Sequence, residues 1–359
     1  MTGAYVGNAQ RQVCNHHNMM KSAYNIRFED FWSGFDPEDN FITAALRERL
    51  DINVLVGGGR NPDIMFYSNF GDDNLRWRDC IRIYVTGEAD IPDFNLCDYA
   101  IGLAETGFGD RYLRFPFFFH SREKMERLQR SLGELTDSEA LSRDFCSVLI
   151  SNVSRDPIVF EFYDKLNGYK RIASGGSWNN TVGRCIGDKY SFINSCKFHI
   201  AFENTMVPGY VTEKILDSLI ASSVPIYWGA SAAKEDFAGR GFINISDFDT
   251  LDEAVNYIIE VDNNDGLYME LLNRGRECGL KTFEDIMESL SSFLAEAVSS
   301  GKRVYNDRGI HKRLYDRQYI MYKKLKASRP QVLAKAVCGR LKHMILKVLD
   351  WLRRFGKRV

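Results

Sequence analysis

Two charged residues, Glu213 and Lys214, stand where a polar loop runs into an apolar helical pattern that begins at Ile215. Thr212 is suited to cap a helix here through its hydroxyl, and the helix would point its first N–H groups and the Lys214 ammonium at one place. Such a place binds anions, phosphate above all. The Glu213 carboxylate either favours the helix dipole or accepts hydrogen bonds from sugar hydroxyls. Together the two residues predict a site for a nucleotide diphosphate and its ribose.

The elements that must position these residues are short apolar runs separated by Gly, Asp or Pro. Runs of this kind are typical of buried parallel strands. They form two series, and a charged segment from Glu123 onward, interpreted as an interdomain helix or linker, lies between them. The runs begin at Ile52, Pro62, Cys80 and Cys97 in the first series, and at Phe145, Tyr169, Lys197, Ser223 and Gly241 in the second.

Two series of strands with helical stretches between them predict two doubly wound α/β domains that face each other across a cleft. In such sheets, ligands sit at the carboxyl ends of the strands. Glu203 and Asn204 directly follow one predicted strand, and Gly175 and Gly176 follow another, so we expect all four at one edge. The expected regions are a first α/β domain over residues 1–140, a second α/β domain with the predicted nucleotide site over 141–305 and a C-terminal helical segment over 306–359.

The composition indicates a globular protein without a strong electrostatic field. Hydrophobic residues make up 45% of the chain and the formal net charge is -1, which argues against a nucleic-acid partner. The eight cysteines show no CxxC pattern, which argues against a disulfide framework or a structural zinc site. His16 and His17 beside Cys14 have no further ligand nearby, and the acidic pair Asp247 and Asp249 is interpreted as structural. No metal is therefore expected.

The two ends of the chain give predictions about the cellular location of the protein. The first residues lack the basic start and apolar run of a signal peptide, and no apolar window reaches the roughly 20 residues that span a bilayer. Residues 331–359 place apolar side chains on one helical face and lysine and arginine on the other, with Asp350 as the single acid. This pattern suits a helix lying in an anionic membrane surface, and the alternative is a helix packed on the body. We expect a cytoplasmic protein held peripherally at the inner face of the membrane.

Three long, ordered segments cover most of residues 80–260. The segment from Tyr84 is YVTGEADIPDFNLCDYAIGLAETGFGDRYLRFPFF, that from Tyr169 is YKRIASGGSWNNTVG, and that from Lys197 is KFHIAFENTMVPGYVTEKILDSLIASSVPIYWGA. They resemble the α-1,3-fucosyltransferases of glycosyltransferase family 10, especially the short bacterial enzymes. The resemblance implies a GT-B fold and inverting transfer of L-fucose from GDP-fucose to a sugar hydroxyl. The usual acceptor is N-acetylglucosamine in a lactosamine chain, here within a lipopolysaccharide or capsule under construction.

The resemblance also implies roles for individual residues. Lys214 matches the lysine that holds the diphosphate, Glu213 matches the acid that binds the ribose, and Glu88 matches the proposed catalytic base. No cofactor is required, although divalent ions could stimulate weakly. Further donor-site positions fall on Asn204, Tyr210, Glu203, Gly175, Gly176 and Asn180.

One position departs from the family pattern. Val159 stands where these enzymes commonly carry an arginine that helps to neutralise the diphosphate, and the nearest arginine is Arg155 in the preceding loop. Arg155 is therefore a candidate substitute. The departure leaves open a different GDP-sugar donor or linkage, and a non-catalytic glycan- or membrane-binding protein is a further alternative.

Overall fold

The computed structural model describes residues 23–57, 61–131, 135–151, 156–183, 186–238, 241–276, 281–303 and 312–327. Three of the sequence predictions fall outside these ranges. They concern His16 with His17, Arg155, and the amphipathic tail over 331–359.

The first domain is built on a six-stranded parallel sheet with the order β2-β1-β3-β4-β5-β6. Strands β2 to β5 arise in the four predicted runs, whereas β1 and β6 do not lie in any of them. Core side chains pack on both faces of this sheet. Its strands are β1 (Tyr24–Glu29), β2 (Val54–Val56), β3 (Ile64–Tyr67), β4 (Ile81–Val85), β5 (Tyr99–Gly102) and β6 (Tyr112–Arg114).

The second domain is built on a five-stranded parallel sheet with the order β11-β10-β9-β7-β8. All five strands lie in or next to the predicted runs. In both sheets the chain order reverses between two central strands, β1 and β3 in the first and β7 and β9 in the second, and ligands bind at such switch points. The strands are β7 (Asp144–Val148), β8 (Ile172–Ser174), β9 (Cys196–Phe202), β10 (Val224–Trp228) and β11 (Ile243–Asn244).

The helices cover both sheets, and several begin at a side chain that accepts hydrogen bonds from the first free N–H groups. Asp156 does so for α4, which has Pro157 as its first residue, and Thr282 forms a capping box with Asp285 for α10. The helices are α1 (Phe41–Ala44, continued as a π turn over Ala45–Arg49), α2 (Arg122–Ser131), α3 (Asp137–Leu141), α4 (Pro157–Tyr169), α5 (Lys189–Asn194), α6 (Lys214–Ile220), α7 (Ala233–Asp236), α8 (Leu251–Asn263), α9 (Asp265–Arg276), α10 (Phe283–Ser300) and α11 (Lys312–Ala327).

Helix α10 connects the two domains. It lies within the range 141–305 expected for the donor domain, yet its apolar face, with Leu290 and Leu294, joins the core of the first domain beside Ile26. Just beyond its end, the Gly301 carbonyl accepts a hydrogen bond of 2.9 Å from the Tyr99 hydroxyl of β5. The first domain is therefore completed by a helix that follows the second domain in the chain.

Candidate active site

A pocket of about 220 Å³ opens at the switch point of the second sheet. The wall is formed by strand β9, by the segments that follow β7 and β9, and by α5 and α6. Asn204, Glu213 and Lys214 line it, as expected from their places after β9 and at the start of α6. A larger cavity, of about 610 Å³, lies beside α2 and α5, but none of the predicted site residues lines it.

The Lys214 ammonium is held by a buried carboxylate. Its Nζ donates to Glu203 Oε2 at 2.7 Å and to Thr212 Oγ1 at 2.8 Å. Glu203 also accepts from the Thr212 N–H at 2.7 Å and from the Thr212 hydroxyl at 2.8 Å. The Glu203 side chain is inaccessible to solvent, so it positions Lys214, whose own side chain stays partly exposed.

This arrangement corrects the prediction that Thr212 caps the helix. The Thr212 hydroxyl donates to Glu203 and accepts from Lys214. The N-cap residue of α6 is Glu213, and its side chain makes no capping hydrogen bond. The buried carboxylate competes for the hydroxyl because an unpaired charge there would cost several kcal/mol. Glu213 is exposed and faces the pocket.

Three other predicted donor residues have clear structural roles. A Cβ on Gly176 would lie 2.1 Å from the Ile150 carbonyl oxygen, and one on Gly175 would lie 2.6 Å from Ile186 Cγ1. Only glycine lets these loops pack so closely. Asn180 is exposed, and its Oδ1 accepts from two N–H groups of the following turn, at 3.0 Å and 2.8 Å. Contact of these residues with a donor stays a prediction.

The Tyr210 hydroxyl is affected by the charges of carboxylates from both domains. Its side chain is buried, and burial raises the pKa of its hydroxyl well above the ordinary value. The negative charges of Glu203, Glu88 and Glu213 raise this pKa further, in that order. Glu88, at the carboxyl end of β4, and Glu213, at the start of α6, therefore both lie near one hydroxyl.

The loop that carries Tyr210 is docked on the first domain through its backbone. Gly209 has a φ of +83°, and a Cβ there would lie 2.4 Å from the Leu103 carbonyl oxygen and 2.5 Å from the Glu105 nitrogen. The Glu105 N–H donates to the Pro208 carbonyl at 2.9 Å. A residue with a side chain could not make this approach, so Gly209 sets how closely the two domains meet here.

Arg114, at the end of β6, stabilises the same contact between the two domains. The sequence analysis gave this residue no role. Its guanidinium donates to the Gly209 carbonyl at 2.9 Å and to both carboxylate oxygens of Asp236 at 2.8 Å and 2.7 Å. The Asp236 side chain is almost fully buried. Burial lowers the pKa of Arg114, but its hydrogen bonds and ion pair with Asp236 outweigh burial and raise that pKa overall.

The contrast between a buried and an exposed ion pair gives a stability prediction. Arg114→Met leaves Asp236 buried and unpaired, so we expect the free energy of unfolding to fall by about 3–5 kcal/mol. Arg49→Met removes the pair between Arg49 and the exposed Glu284, which is expected to cost about 1 kcal/mol or less. Urea unfolding of both variants measures the difference, and equal losses would contradict the role given to Arg114.

Two family models match this chain. Residues 26–120 match the α-(1,3)-fucosyltransferase FucT N-terminal domain, and residues 142–297 match glycosyltransferase family 10 (fucosyltransferase) C-term. The chain belongs to glycosyltransferase family 10. The α-(1,3)-fucosyltransferase FucT of Helicobacter pylori is 32% identical over 280 residues, which are 67% of this chain and 58% of that protein. A human 4-galactosyl-N-acetylglucosaminide 3-α-L-fucosyltransferase is 30% identical over 129 residues, 35% of each chain.

Solved structures extend the likeness to the fold. An α1,3-fucosyltransferase with GDP gives a TM-score of 0.65 at 26% identity and covers 82% of this chain and 94% of its own. One with GDP-fucose gives a TM-score of 0.64 at 27% identity and covers 77% of this chain and 90% of its own. Together with the two parallel sheets, these matches confirm the predicted GT-B fold. The chain nevertheless spans only 58% of the length of the Helicobacter relative.

The departure at Val159 has a structural counterpart. Val159 is 2% exposed and packs with Phe162 and Leu166 of α4 in the core of the second domain. The Val159 side chain does not line the pocket that contains Lys214. The family arginine therefore has no replacement at its own position, and Arg155 lies outside the described residues.

Asp247, the first member of the acidic pair after β11, has protein partners. Asp247 forms an ion pair with Lys234 and accepts a hydrogen bond of 3.3 Å from Asn244. Within the described ranges, no group of three or more His, Cys, Asp or Glu side chains is arranged to hold a metal ion.

Helix α11 precedes the predicted amphipathic tail in the chain. Four of its apolar side chains are exposed, namely Leu314, Met321, Tyr322 and Leu325. Among the helices that the structure describes, none has both the length and the apolar character needed to cross a bilayer.

Proposed function

We propose that this chain transfers L-fucose from GDP-fucose to a hydroxyl of a saccharide acceptor. The observation that carries the proposal is the placing of Lys214 and Glu213 in a pocket at the switch point of the second sheet, with Glu88 near them across Tyr210. Family membership and the GDP and GDP-fucose held by similar solved structures support the choice of donor. Because the chain spans only part of its curated relatives, the acceptor is inferred separately.

The reaction is one displacement at the anomeric carbon of fucose. The acceptor oxygen forms a bond to that carbon while the bond to the β-phosphate oxygen breaks, and GDP leaves with the electron pair. Glu88 takes the proton of the acceptor hydroxyl, and the Lys214 ammonium stabilises the charge that develops on the diphosphate. Glu213 accepts hydrogen bonds from the ribose, and Asn204 and Tyr210 complete the donor site. A base and a leaving group on opposite faces of the sugar invert its configuration.

We infer that the departure of GDP does not require a metal ion. Lys214 is held in place by Glu203 and stabilises the charge on the leaving diphosphate, a role that a divalent ion fills in other enzymes. Activity is expected to survive EDTA, with at most weak stimulation by added Mg²⁺ or Mn²⁺. Complete loss in EDTA with recovery on adding either ion would contradict this inference.

The acceptor is expected at the carboxyl edge of the first sheet, on the side of Glu88. The loops after β1 and β3, which flank the switch point of that sheet, expose the aromatic rings of Trp32 (40% exposed) and Phe70 (56% exposed). Exposed aromatic surface beside a cleft suits a ligand with apolar faces, and a sugar ring has such faces. We propose O3 of N-acetylglucosamine in a lactosamine-type glycan, as part of a lipopolysaccharide or capsule. The names of the relatives support this linkage.

A donor screen tests the proposed activity. GDP release with lactosamine is measured for GDP-fucose and GDP-mannose, since Val159 in place of arginine favours a different GDP-sugar as the second candidate. We expect turnover with GDP-fucose at least tenfold faster. Faster turnover with GDP-mannose would establish the second candidate, and no turnover of either donor on a panel of type 1 and type 2 acceptors would favour a non-catalytic binding protein.

We also propose a peripheral contact with the inner, anionic face of the cytoplasmic membrane through residues 331–359. The sequence pattern of that segment and the exposed apolar side chains of α11 support the contact. Co-sedimentation with anionic vesicles is expected for the full chain and not for a variant that lacks residues 331–359. Equal binding of both would show that the segment is not the anchor.

A further inference from the structure

The pocket contains a second lysine that the sequence analysis did not single out. Lys189, the first residue of α5, lines it together with Lys214, Asn204 and Glu213. Its side chain is 43% exposed. Two ammonium groups, one from α5 and one from α6, therefore face one small space.

The carboxylate that holds Lys189 is shared with another cation. Lys189 Nζ donates to Asp217 Oδ2 at 2.7 Å, while Asp217 Oδ1 accepts from the Tyr190 hydroxyl at 2.9 Å and from Lys124 Nζ at 3.3 Å. Lys124 does not line the pocket. One carboxylate thus serves two lysines, which leaves a positive charge in excess beside the pocket. In contrast, the charge of Lys214 is opposed by the Glu203 carboxylate alone.

His199 is a second, independent sign that the pocket takes a polar ligand. The residue is 6% exposed and lines the pocket, and its Nδ1 is 2.8 Å from the Ser147 hydroxyl oxygen. In the part of the chain that the structure describes, its Nε2 has no hydrogen-bond partner. Because the ring lines the pocket, this nitrogen is available to pair with a polar atom of a ligand there.

The pKa of His199 is lowered to about 4, mainly by burial; the charge of Asp217 opposes this change and the charge of Lys189 adds to it. The unfolded chain therefore binds more protons than the folded chain between about pH 4 and pH 6.5. We expect stability to fall as the pH drops through this window. His199→Asn, which keeps a partner for Ser147 but does not titrate, should flatten that dependence in urea unfolding, and an unchanged dependence would show that other groups cause it.

We propose that Lys189, held by Asp217, is the second cation for the diphosphate of the nucleotide sugar, in place of the arginine that Val159 replaces. The inference rests on the proposed function, because it assumes a nucleoside diphosphate in this pocket. A diphosphate carries more negative charge than Lys214 can neutralise while Glu203 is bound to it. Lys189 supplies further positive charge from α5.

The test compares binding of GDP and guanosine by calorimetry, since the two ligands differ only in the diphosphate. Lys189→Met is expected to weaken GDP binding by about 10- to 100-fold, as for one lost charge-assisted hydrogen bond, and to leave guanosine binding unchanged. Lys189→Arg, which keeps the charge, is expected to retain most of the affinity for GDP. Lys124→Met is the matched control, because it removes a lysine from the same carboxylate outside the pocket, and its GDP affinity should stay within about threefold of the wild type.

Each other outcome has a separate meaning. Equal weakening of GDP and guanosine by Lys189→Met, or the same loss in Lys124→Met, would make Lys189 a structural partner of Asp217 and overturn the inference. If inorganic pyrophosphate binds the wild-type chain as tightly as GDP, the pocket recognises free phosphates and not the nucleotide, which also overturns it. If the wild-type chain binds no GDP, the proposed function itself fails. If Lys189→Met does not fold, Lys189→Arg provides the test. A loss of GDP affinity of more than tenfold in that variant would contradict the charge-based role.

Discussion

Glu88→Gln is expected to lower kcat for fucose transfer by about 10²- to 10⁴-fold, because the acceptor hydroxyl then loses the group that takes its proton. Glutamine keeps the size and the polar character of the side chain, so the affinity for GDP should not change. Steady-state kinetics with GDP-fucose and lactosamine, together with calorimetry for GDP, measure the two effects separately. The Glu88 side chain is exposed, so the substitution should also leave folding intact.

Asp90 provides the control for this prediction. It lies two residues further along the same loop, and its carboxylate accepts a hydrogen bond of 2.6 Å from the Tyr84 hydroxyl. Asp90→Asn keeps an acceptor for that hydroxyl, so kcat should change by less than about threefold. A comparable fall in both variants would point to a disturbed loop, and retention of full activity in Glu88→Gln would remove Glu88 as the base.

Lys214→Met is expected to lower kcat/KM for GDP-fucose by about 10²- to 10³-fold, as for the loss of one preorganised group that stabilises the leaving charge. The same change leaves the Glu203 carboxylate buried without its cation, so we expect the free energy of unfolding to fall by about 3–5 kcal/mol. Kinetics and urea unfolding of the same preparation measure both quantities.

The double variant Lys214→Met with Glu203→Gln separates the two effects. Removing the buried charge should restore most of the lost stability, because the amide oxygen of the introduced glutamine can still accept from Thr212 while no cation is needed. Activity should stay low, since the Lys214 ammonium that stabilises the leaving diphosphate is still absent. Recovery of activity in the double variant would mean that Lys214 acts only as a partner of Glu203.

The sheets could be predicted from the sequence where their strands are buried on both faces. Such strands form continuous apolar runs, and β3 and β10 are examples. Strand β1 was missed because it alternates, with Arg27 and Glu29 forming an ion pair of 2.8 Å and only Ile26 fully buried. Helix α10 is amphipathic, but that pattern alone does not say which of the two sheets it covers.

The part of the site that could be predicted follows from one topological rule. Carboxyl ends of parallel strands meet at one edge, which brings Asn204 and the Glu213–Lys214 pair into the same pocket. The ion pairs around the site could not be predicted, because their partners are far apart in the chain and meet only in the folded structure. Asp217 meets Lys124 and Lys189 on three different helices, and Arg114 reaches Asp236 across the domain boundary.

The central claim is that the two domains hold Glu88 and Lys214 for one displacement on GDP-fucose. Its most direct test is NMR of the product that the wild-type chain forms from GDP-β-L-fucose and a type 2 lactosamine acceptor. We predict a single new α-L-fucosyl residue on O3 of N-acetylglucosamine, with the anomeric configuration inverted. A β-linked fucosyl product would contradict the single-displacement mechanism, and no fucosylated product with a folded, GDP-binding chain would contradict the proposed activity.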